Sequence, residues 1–225
     1  MVVSSKESFI VNEKSAVPAT DKLIRHVKFA RFLHWLMAIC VLTLLATSYL
    51  PIFGIKFPWV TAHWITGLVL TAAVLVHTGW SLMWQRLRQM LFWIRDVKDA
   101  IKTLAWFFRL NKEGPDKPGK YSPAQKLIHH SFALVVLTSI VSGLLIMVKI
   151  DTPFWDRNPY WLTNRTWGYI YVAHDLASMI LVTMIMLHVY FALRPEKRLY
   201  LRSMLLGWIT REEYTGHHNP DRWEK

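Results

Sequence analysis

His174 and His188 stand 14 residues apart in "AHDLASMILVTMIMLHVY", a run that otherwise suits lipid. At about 1.5 Å and 100° per residue, that interval puts two imidazoles on nearly the same face of one helix, roughly 21 Å apart along its axis. Ionisable groups in membrane helices are costly enough to mark function by default, and imidazole can ligate metal, carry protons or pack through a hydrogen bond. Seven of the ten histidines, His34, His63, His77, His129, His130, His174 and His188, lie within or at the edge of an apolar run. If the spans alternate in direction, His63 falls at the depth of His174 and His34 at the depth of His188.

Facing imidazoles across a helix bundle bind a metal or a haem iron from both sides. Zinc usually takes a third or fourth protein ligand, and no cysteine or well-placed carboxylate supplies one at either depth. Two bis-histidine b-type haems stacked across the membrane explain the interval best. Small residues one turn after each histidine, Ala38, Gly67, Ser178 and Ala192, leave room for a porphyrin, although Ser81 and Ala133 follow His77 and His129 in the same register.

The elements that must position these side chains are four apolar segments, each long enough for the roughly 20 residues a bilayer core requires. They are expected at about Phe32–Leu50, Val60–Trp84, Leu127–Val148 and Trp167–Leu193. The fold class expected is all-α: a polytopic four-helix membrane bundle. Apolar Met90, Ile94, Val97, Ile101, Leu104 and Phe108 recur at helical spacing, with Arg95, Asp96, Lys98, Asp99 and Lys102 elsewhere around the wheel. That pattern predicts an amphipathic helix over about 88–109, lying on the cytoplasmic lipid surface or docked on a partner protein. The chain thus divides into an N-terminal tail over 1–28, a membrane domain over 29–198 and a C-terminal tail over 199–225.

Of 27 Lys and Arg, six precede the first span, ten lie between the second and third and seven follow the fourth. The positive-inside rule therefore puts both termini in the cytoplasm. It also accounts for the net charge of +12 without nucleic acid. The polar first 31 residues do not read as a cleaved export signal. The single cysteine, Cys40, excludes a disulfide framework and a c-type haem attachment site, and is expected to pack.

Several stretches carry a resemblance: "FLHW" at the first span, "HWITG" in the second, "GKYSPAQK" before the third, the His174/His188 pair and the tail "SMLLGWITREEYTGHHNP". The chain resembles the cytochrome b (gamma) subunit of membrane-bound formate dehydrogenases. That family lies in a superfamily with the cytochrome b of nickel-iron hydrogenases and cytochrome b561. The resemblance runs from about Phe29 onward and implies a bacterial inner-membrane location. It places the haem-ligand positions on His34, His63, His174 and His188. It implies that electrons arrive at the outer haem from an iron-sulfur subunit joined to a catalytic dehydrogenase subunit. They then leave from the inner haem to menaquinone or ubiquinone, in a pocket near His188 and the loop residues Ser122, Ala124 and Gln125. The usual loop is closer to G-K-Y-N-x-G-Q-K, so Ser122 replaces asparagine and Ala124 replaces glycine.

Two rival readings stay open on the residues alone. A stand-alone b561-type quinone oxidoreductase would keep the haems without a dehydrogenase. A small transporter or assembly anchor would use the histidines to carry protons or to pack. His77, His129 and His130 stay open between ligand, proton relay and packing, and His217 and His218 between the family's tail motif and a solvated contact surface.

Overall fold

A peptide group removed from water must find its hydrogen bond within its own segment, so apolar runs of this length fold as helices. The computed structural model describes residues 21–84, 89–110, 112 and 114–223. Its first five helices are α1 (Lys28–Tyr49), α2 (Trp59–Trp84), α3 (Ile94–Phe107), α4 (Pro123–Met147) and α5 (Asn164–Leu193). Of these, α1, α2, α4 and α5 are long and apolar enough to cross a membrane. α1 packs on α2, α4 packs on α5, and α2 touches α4 to join the two hairpins.

All four long helices begin one to four residues earlier than apolar runs alone suggest, and at two of them polar caps carry the helix past its hydrophobic stretch. At α4, the Gln125 N–H donates to Ser122 Oγ at 3.3 Å, the Ser122 N–H donates to Gln125 Oε1 at 3.0 Å, and Pro123 opens the helix. At α5, the Thr166 N–H donates to Thr163 Oγ1 at 3.2 Å.

Between the hairpins' ends lies an apolar layer of Cys40, Val41, Leu70 and Leu181, packed against Leu44, Val74, Phe132 and Ile140 among others. The outward faces stay apolar as well, with Ile39, Leu75, Leu134 and Met186 all more than half exposed. Those faces suit lipid, and with the four spans they define an integral membrane protein.

α3 is shorter than expected. Met90 lies ahead of it, Arg88 lies outside the described residues, and the backbone beyond its end turns left-handed at Arg109, with φ of 57°. Asp96, on the polar side of the wheel, does not face solvent. It is buried and accepts from the Lys126 ammonium at 2.9 Å, and Asp99 meets the Arg222 guanidinium at 3.1 Å. The charged side of α3 is therefore docked onto α4 and the C-terminal segment, while Ile94, Val97, Ile101 and Leu104 are more than half exposed.

The first described strand and the segment that follows α5 fold together at one end of the bundle. Strand β1 (Lys22–Ile24) pairs antiparallel with β2 (Trp208–Thr210), between α6 (Arg198–Leu206) and α7 (Arg211–His217), and α8 (Pro220–Trp223) follows. Gly207 has φ of 94° and lies against the chain entering α1, where an added Cβ would come within 2.9 Å of the His26 carbonyl. His218 is fully buried rather than solvated. It accepts from the buried Arg25 guanidinium at 3.0 Å through Nε2 and donates from Nδ1 to the Gly119 carbonyl at 2.7 Å. Burial chiefly, with the Arg25 cation adding to it against the pull of the Gly119 carbonyl, holds His218 down to about 4. Arg25 also donates to the Lys120 carbonyl at 2.7 Å, so N-terminal strand and C-terminal segment together fix the loop that leads into Ser122.

Candidate bis-histidine centres

Helix direction sorts the polar side chains of the bundle into two levels, one near the end that carries the β1–β2 ribbon and one far from it. α2 carries His63 far and His77 near; α5 carries His174 far and His188 near. α1 and α4 each carry a histidine near, His34 and His129, and a hydroxyl 13 residues further on, Thr47 and Ser142, which about 1.5 Å per residue places at the far level.

At the far level the rings of His63 and His174 have centres 6.3 Å apart, with planes inclined at 69°. Thr47 Oγ1 lies 2.8 Å from His63 Nδ1 and donates its own proton to the Leu44 carbonyl at 2.9 Å. With its proton so committed, the hydroxyl accepts from His63 Nδ1–H. Ser142 does the same on the other side, 2.9 Å from His174 Nδ1 while donating to the Thr138 carbonyl at 2.6 Å. Hydrogen-bond logic thus assigns both rings the Nδ1–H tautomer and leaves each Nε2 with a free lone pair, the arrangement a metal-binding imidazole needs. Gly143 makes room for one ring, since an added Cβ would come within 3.1 Å of His174 Cε1.

At the near level His34 and His188 have ring centres 6.4 Å apart and planes at 52°. His77 and His129 stand at the same 6.4 Å. A ring nitrogen lies about 1.2 Å from its ring centre and a metal–imidazole bond is about 2.0 Å, so two rings on opposite sides of one metal ion have centres about 6.4 Å apart. All three pairs have that spacing. Among the described residues no three His, Cys, Asp or Glu gather as a metal group, so each place offers two imidazoles and no more. That donor set fits a metal whose remaining positions are filled by a macrocycle.

Of the remaining candidates read from the sequence, Ser122 and Gln125 bond each other across the start of α4, and Ala124 is exposed. Gln125 Oε1 is thereby committed to the helix. His130 donates from Nδ1 to the Lys126 carbonyl at 2.8 Å and lies edge-on to Phe92, 5.6 Å between centres. His77 Nδ1 is buried with no hydrogen-bond partner among the described residues. Sequence reasoning missed Thr47, Ser142 and Gly143, although the depth rule that ordered the histidines places both hydroxyls beside them.

A four-helix membrane frame with paired imidazoles at two depths defines the class of membrane b-type cytochromes. The chain belongs to the prokaryotic cytochrome b561 family, whose profile matches residues 25–207, and that membership implies b-type haem and electron transfer. It is similar to the formate dehydrogenase cytochrome b556 subunit of Haemophilus influenzae, 23% identical over 93% of this chain and 85% of the relative. It is also similar to the cytochrome b556(fdo) subunit of formate dehydrogenase from Escherichia coli K12, 24% identical over 90% of this chain and 92% of the relative. A probable Ni/Fe-hydrogenase B-type cytochrome subunit of Bradyrhizobium diazoefficiens is 24% identical over 79% of this chain and 81% of its own length.

Proposed function

We propose that the chain is the di-haem membrane subunit of a dehydrogenase complex, passing electrons from an iron-sulfur partner to the membrane quinone pool. His63 and His174 would hold one b-type haem, and His34 and His188 the other. The observation that carries this reading is the pair of imidazole couples, 6.3 and 6.4 Å between ring centres, set 14 residues apart on α5. Bound iron porphyrin supplies a one-electron couple at each depth. Thr47 and Ser142 hold the far rings in the tautomer that presents Nε2, and the apolar layer around Leu70 and Leu181 keeps water from the space between levels.

The distribution of Lys and Arg puts both termini, and so the near level, on the cytoplasmic side of a bacterial inner membrane. The far level then faces the iron-sulfur subunit, and quinone takes up electrons at the near level by the loop of Ser122, Ala124 and Gln125. α3, with its apolar side open and its charged side docked on the protein, lies along the cytoplasmic lipid surface. The E. coli and Haemophilus relatives support a formate dehydrogenase as the catalytic partner. The Bradyrhizobium relative supports a nickel-iron hydrogenase as the second reading.

The test uses the full-length protein in membranes. Its b-type absorbance, reduced chemically, is expected to reoxidise in full on addition of a short-chain quinone. Reduced absorbance that persists with excess quinone would contradict the reading, and co-purified iron-sulfur with molybdenum or nickel subunits would tell the two partners apart.

A further inference from the structure

Three pairs of imidazoles share one spacing, yet the function proposed above uses two. His77 on α2 and His129 on α4 are left over, at the depth where quinone is to be reduced. His77 Nδ1 is buried without a partner among the described residues. A buried polar atom in that state costs stability and calls for a ligand. Gln125 sits one helical turn before His129, so the left-over pair adjoins the proposed quinone loop. The polar groups of that loop are partly committed: Ser122 Oγ and Gln125 Oε1 cap α4. His129 is exposed on α4, as a residue that receives a lipid-soluble molecule must be.

Resting on that reading, we propose that His77 and His129 form the headgroup site for the quinone, their N–H groups converging on one of its carbonyl oxygens. A quinone offers hydrogen-bond acceptors and no donors, and a pair of neutral imidazoles each has one N–H to give. With ring centres 6.4 Å apart, the two N–H groups reach one oxygen when their bonds meet at an angle on it, as the two lone pairs of a carbonyl oxygen allow. His130, whose ring centre is 5.6 Å from that of His129, has its Nδ1–H fixed on the Lys126 carbonyl and is not part of the site. The buried Lys126–Asp96 pair lies a turn below and ties the start of α3 beside it.

The experiment follows reoxidation of the haem-loaded full chain in membranes against the concentration of a short-chain quinone. His77→Leu and His129→Leu should each keep two haems and raise the half-saturating quinone concentration about tenfold, the loss of one hydrogen bond at a buried acceptor. His77→Gln, which keeps an N–H donor, should restore most of it. An unchanged half-saturation in both leucine variants, or loss of a haem from either, would overturn the site; the latter would make the pair a ligand set. If the wild type itself is not reoxidised at any quinone concentration, the proposed function fails as a whole, which separates the two failures. Should the leucine variants not accumulate, a quinone labelled with carbon-13 at one carbonyl gives the answer on the wild type. One carbonyl stretch should shift down on binding and return in His77→Gln to an intermediate position, and no shift would overturn the proposal.

Discussion

The far and near levels of the bundle use the same four helices in different ways. At the far level α2 and α5 contribute histidines, while α1 and α4 contribute the hydroxyls of Thr47 and Ser142 that brace them. At the near level all four helices contribute histidines, and among the described residues no hydroxyl is bonded to His34 or His188. One level is a closed arrangement whose tautomers are set before any ligand arrives; the other has more imidazole than two axial bonds require. A site that only holds a cofactor benefits from rigid braces, and a site that also exchanges a substrate needs donors left free.

The sharpest way to break the comparison is to remove one histidine from each level. His174→Ala is expected to remove the far haem and leave the near one, and His188→Ala the reverse, each read as half the b-type absorbance per polypeptide. Either variant retaining full haem content would end the assignment at that level. Next in size is the buried ion pair beside the near level, whose side chains are only 8% and 10% exposed. Lys126→Met leaves Asp96 without its cation, which should lower unfolding stability by about 3–5 kcal/mol. The far-level spectrum should stay as it was while the near-level spectrum changes.

Removing the braces sharpens the comparison further. Thr47→Val and Ser142→Ala should each weaken haem retention at the far level by about 10–100-fold, as losing an outer partner of a ligating histidine commonly does. Near-level haem should be untouched, and equal losses at both levels would contradict the division of labour. The smallest effect expected is that of acidity on the cap formed by Arg25 and His218. The folded cap holds His218 neutral down to about 4, whereas in the unfolded chain it titrates at its ordinary value of about 6.5. Between those values the unfolded state binds more protons, so stability rises with pH across that window. The contribution is complete above about 6.5 and is lost as pH falls toward 4. Hydrogen exchange at the Gly119–Tyr121 amides should speed up as pH drops through that range, after correction for intrinsic rates, and His218→Gln should abolish the excess.

The four spans were legible because apolar length alone requires a helix in lipid. The approach of His63 to His174 was legible too, since helix rise and alternating direction leave only those two histidines at the far level, and the shared depth of His34 and His188 was legible by the same rule. The same arithmetic would have found Thr47 and Ser142, but a threonine or serine in an apolar run has no pattern of its own and reads as filler. Pairing of His77 with His129 was hidden for a different reason: depth alone gives five histidines at one level and not which helices face each other. The burial of Asp96 was not legible because its partner, Lys126, is distant in sequence, and a helix wheel shows a charged residue without showing what it meets. The β1–β2 ribbon and the burial of His218 likewise depend on segments nearly 200 residues apart meeting, which no local pattern announces.

The proposed electron transfer would depend on iron porphyrin held at two depths by paired imidazoles. Haem b counted per polypeptide in the purified full-length protein, by the pyridine haemochrome spectrum against a protein assay, tests it most directly. Two per chain is the expected value; one or none would contradict the account.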